Sequence, residues 1–163
     1  MRQLHWMALS MALLAIPLQA QEPKNHSFEG SAFFAGVKAY PNGGKVLQLG
    51  GGGEVGLYKG LKAGGDIGYL FVPSEGFGSG AGLFSAGAAY HFFAEEQTVP
   101  FVAAGYGLGF RSGTQNLLYY GAGVTHWFTP HAGARLELRD YLAPELGSGT
   151  GHVLQFRVAL TFR

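Results

Sequence analysis

Charged residues alternate with leucines in one stretch of the chain, and this spacing limits the chemistry they can do. Arg135, Glu137 and Arg139 are separated by Leu136 and Leu138. A period of two puts the charged side chains on one face of a β-strand, whereas a helix would scatter them around its circumference. Two arginines with a carboxylate between them can form ion pairs or hold an anion. The stretch therefore predicts a strand with one charged face.

The same alternation, applied to the other strands that we expect, places further charges on polar faces. If the strands close into a barrel, these faces point inward, and the inward charges are Glu54, Lys62, Asp66, Arg135, Glu137, Arg139 and Arg157. An unpaired buried charge is costly, so we expect one ion-pair network in which Glu137 is a counter-ion of the arginines. The alternative is a gate or an anion site, because Arg and Lys outnumber Asp and Glu in this set.

Serine and histidine residues offer no catalytic pair at a usable distance. Ser85 and His91 share a strand and a face, but their spacing at ~3.3 Å per residue separates them by about 20 Å, too far for a hydrogen bond. His126 and His131 could bind a metal across a turn, yet two ligands without a nearby carboxylate are a weak signal. We predict no catalytic, metal-binding or cofactor-binding residues.

One glycine motif matches a nucleotide-binding fingerprint by its letters alone. Gly51, Gly53 and Gly56 have the spacing of the dinucleotide-binding motif, but no helix follows and the stretch lies inside an expected strand. Glycines in a strand of a small barrel allow tight curvature and close side-chain packing. We interpret the motif as structural.

Composition excludes several classes of protein. Charged residues make up 13% of the 163-residue chain, about half the ~25% that is typical of a soluble domain. The 28 glycines are more than twice the share of ~7% that is average for proteins. A net charge of +1 gives no sign of the basic surface with which proteins bind nucleic acid. The absence of cysteine excludes disulfides, thiolate metal sites and a cysteine nucleophile.

The N-terminal stretch has the layout of a secretory signal peptide. A positive residue, Arg2, precedes an apolar run from Trp6 to Leu18, and the small residue Ala20 follows at the expected cleavage site. The run is shorter than the ~20 residues of a membrane-spanning helix. We therefore expect a signal peptide over residues 1–20 and a single domain over residues 21–163, which would have to enter a membrane with strands.

The rest of the chain divides into eight segments separated by turn signals, the spacing of an all-β barrel. The expected strands are Gly30–Tyr40, Val46–Tyr58, Leu61–Val72, Ala81–Phe93, Val99–Phe110, Leu117–Phe128, Ala132–Tyr141 and Leu154–Phe162. The first segment puts Phe33, Ala35, Val37 and Ala39 on its apolar face. Pro73–Gly80 and Leu142–Gly151 are the expected exposed loops.

The alternation fits both a soluble barrel and a membrane barrel, and the polar faces discriminate between them. Those faces carry mainly Gly, Ala, Ser and Thr, which would make a poorly solvated exterior. In a membrane barrel they would pack inside while Leu, Val, Phe and Tyr face hydrocarbon. We predict an all-β, eight-stranded antiparallel up-and-down transmembrane β-barrel with a polar, side-chain-filled lumen. Its interfacial aromatics would be Tyr40, Tyr58, Phe71, Phe92, Phe93, Phe110, Trp127, Phe128 and Phe162.

These features resemble a known family. The Gly-rich amphipathic strands, the Arg-Leu-Glu-Leu-Arg-Asp-Tyr segment and the aromatic residue near the chain end are similar to the small outer-membrane β-barrel proteins related to the transmembrane domain of outer membrane protein A. This resemblance implies the outer membrane of a Gram-negative-type bacterium, with outer-membrane lipid and lipopolysaccharide, the barrel-assembly machinery and periplasmic chaperones as partners. Family members usually end on an aromatic residue, whereas this chain adds Arg163 after Phe162.

The expected function is a structural or surface-interaction role in the cell envelope, without enzymatic activity or a cofactor. Some barrels of this family acylate or deacylate lipid A, so a lipid A-modifying enzyme is the first alternative. A narrow solute pore is the second, although an eight-stranded barrel is filled by its own side chains.

Overall fold

The computed structural model describes residues 28–40, 44–143 and 151–163. The expected signal peptide over residues 1–20 lies outside this part, as do residues 41–43 and 144–150 of the expected turns and loops. Among the described residues, no helix is long and apolar enough to cross a bilayer.

The prediction of an eight-stranded antiparallel barrel is confirmed. The strands are β1 (Phe28–Tyr40), β2 (Lys45–Tyr58), β3 (Leu61–Val72), β4 (Gly76–His91), β5 (Thr98–Phe110), β6 (Thr114–Trp127), β7 (Ala132–Ala143) and β8 (Gly151–Phe162). Each strand pairs with its neighbours in chain order, and β1 pairs with β8 to close the sheet.

The connections are short at both ends of the barrel. At the end where β1 begins and β8 ends, which we call the turn end, β2 joins β3 through Lys59 and Gly60. Both residues have positive φ angles, 39° and 86°, as the turn of a tight right-twisted hairpin requires. At the opposite, loop end, residues 73–75 join β3 to β4, so the prediction of a loop over Pro73–Gly80 was wrong beyond residue 75. β4 begins already at Gly76, because that residue pairs with Val72 of β3.

Closure requires a stagger between the first and last strands. The line of paired residues that starts at Phe28 passes around the whole sheet and returns to β1 at Lys38, ten residues further along. The residues on this line are Phe28, Val55, Ala63, Ala88, Ala104, Tyr120, Asp140, Leu154 and Lys38. Such a stagger accompanies the tilt of strands in a closed barrel. It determines which side chains meet across the interior.

The face assignment agrees with the sequence analysis in seven strands and fails in β1. In β7, Arg135, Glu137 and Arg139 are buried, while Leu136 and Leu138 are exposed. In β1 the predicted apolar face, which includes Phe33 and Val37, points inward instead of outward. Both faces of β1 carry large apolar residues, so their alternation does not distinguish inside from outside.

Most of the aromatic residues expected at the interfaces are exposed at or beside strand ends. Tyr40, Tyr58, Phe93 and Phe128 are all exposed, as expected of interfacial residues. Trp127 is buried at the turn end, where the Arg163 guanidinium lies 4.0 Å from its ring centroid. Its assignment to the interfacial set was therefore wrong, because its position in β6 has the parity of the inward residues.

Glycines make room inside the barrel. A Cβ atom built on Gly64 would lie 2.5 Å from the Gly53 carbonyl oxygen and 2.7 Å from Cγ of Glu54. Gly36, on the outward face of β1, differs because a Cβ atom there would meet nothing within 4 Å. The interior therefore tolerates no side chain at Gly64, whereas the outer face at Gly36 has space.

We expect Gly64→Val to destabilise the barrel by ~1–3 kcal/mol, because the added side chain overpacks the interior. The matched control, Gly36→Val, introduces the same side chain into a strand without a clash and should be neutral or slightly stabilising. Urea unfolding of both variants in lipid vesicles, followed by tryptophan fluorescence, measures the difference. Equal stabilities for the two variants would contradict the close packing of Gly64 against β2.

Candidate functional site

The predicted inward charges lie on four strands, and all except Lys62 meet in the lumen. Glu54 is on β2, Lys62 and Asp66 are on β3, and Arg157 is on β8. The remaining three are the alternating charged residues of β7, which the strand period turns to one side. The site is therefore assembled from strands that are distant in sequence and adjacent or opposite around the barrel.

Arginine and glutamate side chains form the first part of a continuous chain of ion pairs. Arg135 Nη1 donates a hydrogen bond to Glu54 Oε1 at 2.8 Å, and Arg135 Nε lies 3.6 Å from Glu137 Oε2. Arg139 Nε contacts the other oxygen of Glu137 at 2.5 Å. Glu137 is thus the counter-ion of two arginines on its own strand.

Asp66 connects β7 to β8 across the lumen. Its Oδ2 accepts hydrogen bonds from Arg139 Nη1 at 2.8 Å and from Arg157 Nη1 at 3.0 Å. Arg157 pairs with Glu137 in the strand ladder, yet its guanidinium bonds to Asp66. We call the connected residues Glu54, Asp66, Arg135, Glu137, Arg139 and Arg157 the luminal network.

Lys62 lies apart from the luminal network. Its Nζ contacts Glu29 Oε1 at 2.5 Å, and both side chains are buried. Glu29 was missed because its inward position depends on the face assignment of β1, which was wrong. Including Glu29 balances the inward charges, with four cations and four anions among the described residues of these ion pairs. The excess of positive charge that suggested an anion site disappears.

Each arginine of the luminal network is covered by an aromatic ring that points inward. The guanidinium carbon of Arg157 lies 3.7 Å from the ring centroid of Phe33. Arg135 lies 3.8 Å from that of Phe101, and Arg139 lies 4.7 Å from that of Tyr119. Cation–π contacts of desolvated arginines add to the ion pairs. These rings were not predicted, although the strand period applied to β5 and β6 turns Phe101 and Tyr119 inward.

The interior leaves little space for a solute. A cavity of about 30 Å³ lies beside the luminal network, which is room for no more than about two water molecules. Towards the loop end, apolar side chains that include Leu83, Leu117 and Tyr141 pack into one buried cluster. The geometry therefore argues against a solute pore.

The serine and histidine residues weighed as catalytic or metal-binding groups have other partners. Ser85 Oγ lies 3.1 Å from the Tyr141 hydroxyl, and His91 Nε2 lies 3.3 Å from Glu54 Oε2. His126 Nδ1 lies 2.8 Å from Thr98 Oγ1. The described side chains include no group of three or more His, Asp or Glu residues that could hold a metal ion.

Solved barrel structures are similar to the chain, although the sequence matches no protein-family profile and no curated protein. Neisserial surface protein A aligns with 16% identity and a TM-score of 0.63 over 83% of this chain and 96% of that chain. The N-terminal β-barrel domain of OprF from Pseudomonas aeruginosa aligns with 20% identity and a TM-score of 0.63, covering 85% and 98%. The outer membrane enzyme PagL aligns with 17% identity and a TM-score of 0.55, covering 82% and 99%. The fold is that of the small eight-stranded outer-membrane barrels, as the sequence predicts.

We expect Glu137→Ala to destabilise the barrel by ~3–5 kcal/mol, because it leaves Arg135 and Arg139 as buried cations without their shared counter-ion. Replacing Glu137 and Arg139 together by Leu and Met should recover part of this loss. Urea unfolding in lipid vesicles measures the coupling.

The control double variant combines Glu137→Ala with Lys62→Met. Lys62 belongs to a separate pair, so its effect should add to that of Glu137→Ala within ~0.5 kcal/mol. Additivity in the Glu137 and Arg139 pair as well would contradict the connection between those two residues.

Proposed function

We propose that the chain is an integral outer-membrane protein with a structural or surface-interaction role in the cell envelope. Its strands cross the bilayer, its lumen is closed, and it has no catalytic role. The short connections limit the area that loops could offer to a soluble partner.

The outward face of the strands carries the proposal. Ile67, Leu138, Phe156 and Leu160 are each about half exposed, and similar side chains surround the barrel. The buried interior meanwhile holds the luminal network. This is the reverse of a water-soluble barrel and matches a protein whose solvent is lipid. The likeness to outer-membrane barrels supports the same membrane, since the closed ladder leaves no unpaired strand edge in hydrocarbon.

Export and assembly complete the proposal. The signal peptide would be removed after Ala20, leaving residues 21–163 as the barrel domain. Periplasmic chaperones would carry the chain to the barrel-assembly machinery, with Phe162 as part of the recognised end. Phe162 is exposed on the outer face of β8, where a partner could contact it. The surrounding lipid, including lipopolysaccharide, would be the permanent partner.

We expect the folded protein to migrate differently on gels before and after boiling, because a closed hydrogen-bonded barrel resists unfolding by detergent. Protein refolded into detergent micelles and loaded without boiling gives the test. The same mobility in both samples, together with a helical circular dichroism spectrum, would contradict the fold.

Spin labels test the orientation of the faces in a bilayer. A label at Leu136→Cys should collide with lipid-soluble oxygen, whereas a label at Arg135→Cys, one residue away, should be shielded inside the barrel. The unlabelled variant Leu136→Arg should cost ~2–4 kcal/mol if the residue lies near the midplane of the bilayer. Exposure of both labels to bulk water, in a protein that stays soluble without detergent, would overturn the membrane assignment.

A further inference from the structure

A small group of polar residues interrupts the apolar outer face at the loop end. Lys38 and Tyr40 are on β1, Lys45 is on β2, and His152 is on β8. All four side chains are exposed and lie on three adjacent strands. We call these residues the loop-end patch.

The two lysines of the loop-end patch face each other, and no described residue serves as their counter-ion. Lys38 and Lys45 are direct partners in the antiparallel ladder between β1 and β2. Like charges directly opposite each other destabilise a strand pair. Neither ammonium group forms an ion pair with a described residue; Lys38 Nζ lies over the Tyr40 ring, 4.6 Å from its centroid. An anion between the lysines would remove this repulsion.

His152 supplies a third nitrogen group whose orientation is held by its neighbours. It is the ladder partner of Tyr40. Its Nδ1 lies 2.8 Å from Asp140 Oδ2, and the same oxygen accepts a hydrogen bond of 2.8 Å from the Tyr120 hydroxyl. The His152 side chain is 51% exposed. The contact through Nδ1 leaves Nε2 of this anchored imidazole available to a ligand.

An apolar slot opens directly below the lysines. Gly36 precedes Lys38 by two residues on the same face of β1, and a Cβ atom there would meet nothing within 4 Å. Its ladder partners are Leu47 on β2 and Phe156 on β8. Phe34, 45% exposed, continues the same face towards the middle of the barrel. Four residues of strand from Lys38 to Phe34 give an apolar track about 13 Å long.

We propose that the loop-end patch and the slot at Gly36 bind one membrane lipid that carries a phosphate group. The phosphate lies between Lys38 and Lys45 and within reach of His152, and an acyl chain follows the slot. This inference rests on the proposed membrane location. A soluble anion could use the cations alone, but only a lipid would also fill an apolar slot that is continuous with the lipid-facing surface.

The experiment compares two spin-labelled lipids around the reconstituted barrel. Phosphatidic acid provides the phosphate monoester, and phosphatidylcholine is the zwitterionic reference. Electron spin resonance measures the fraction of each lipid that the protein immobilises. A lysine near a membrane surface contributes about a five-fold preference for an anionic lipid. We expect wild-type protein to prefer phosphatidic acid by at least that factor.

Three variants test the site. Lys38→Gln with Lys45→Gln should reduce the preference to near unity, and Gly36→Leu should reduce it by filling the slot. Lys59→Gln is the matched control, because Lys59 also lies over a tyrosine ring, 5.1 Å from the Tyr58 centroid, but at the turn end. The control should keep the wild-type preference. A wild-type preference near unity, or an equal loss in Lys59→Gln, would overturn the proposal.

Inorganic phosphate distinguishes a lipid site from a simple anion site. An excess should displace no more labelled phosphatidic acid than chloride of the same ionic strength. Complete displacement, or an unchanged preference in Gly36→Leu, would overturn the role of the slot and therefore the lipid. Each sample is also checked for heat-modifiable mobility and for oxygen access at position 136. Failure of these checks in wild-type protein counts against the membrane assignment, whereas inserted protein without a lipid preference counts against this site alone.

Discussion

Closure of the backbone hydrogen-bond ladder is the constraint on which the rest of the structure depends. β1 pairs with β8 from Gly30 and Phe162 to Tyr40 and His152, so the sheet has no edge strand. Only a closed sheet can satisfy its backbone groups in hydrocarbon. In the closed ring of eight strands β3 lies opposite β7, and the ten-residue stagger sets the level at which their side chains meet. Asp66 thereby reaches two arginines that are remote in sequence.

Part of the high glycine content follows from the long charged side chains that this small barrel encloses. Long side chains of the luminal network pack against glycines on the next strand. A Cβ atom on Gly52 would lie 2.6 Å from Cβ of Asp66, and one on Gly121 would lie 2.9 Å from Cγ of Arg139. Glycine is thus the partner that lets an arginine or a carboxylate fit in a lumen of fixed width. On the outer face, glycines make room for aromatic rings instead, since a Cβ atom on Gly82 would overlap the ring of Phe110.

The strand period was sufficient to predict the barrel, its membrane-type polarity and the inward charges of β7. It failed in β1, where inward Phe33 and outward Phe34 are equally apolar. It also could not identify the ion-pair partners of Arg157, because ladder neighbours are not necessarily contacts. Arg157 bonds to Asp66, 91 residues earlier in the chain. That contact depends on the stagger of the closed sheet, which no local pattern contains.

The sequence separation of the luminal ion pairs has a consequence for how the barrel forms. The bonds from Arg139 to Asp66, from Arg135 to Glu54 and from Arg157 to Asp66 close loops of 73, 81 and 91 residues. Contacts this distant form slowly, since chain entropy is lost before they contribute. A partly assembled sheet would keep these charges hydrated and both terminal strands unpaired. The luminal charges therefore lose their water only when β1 pairs with β8. Closure of the sheet and burial of the charges are then one cooperative step.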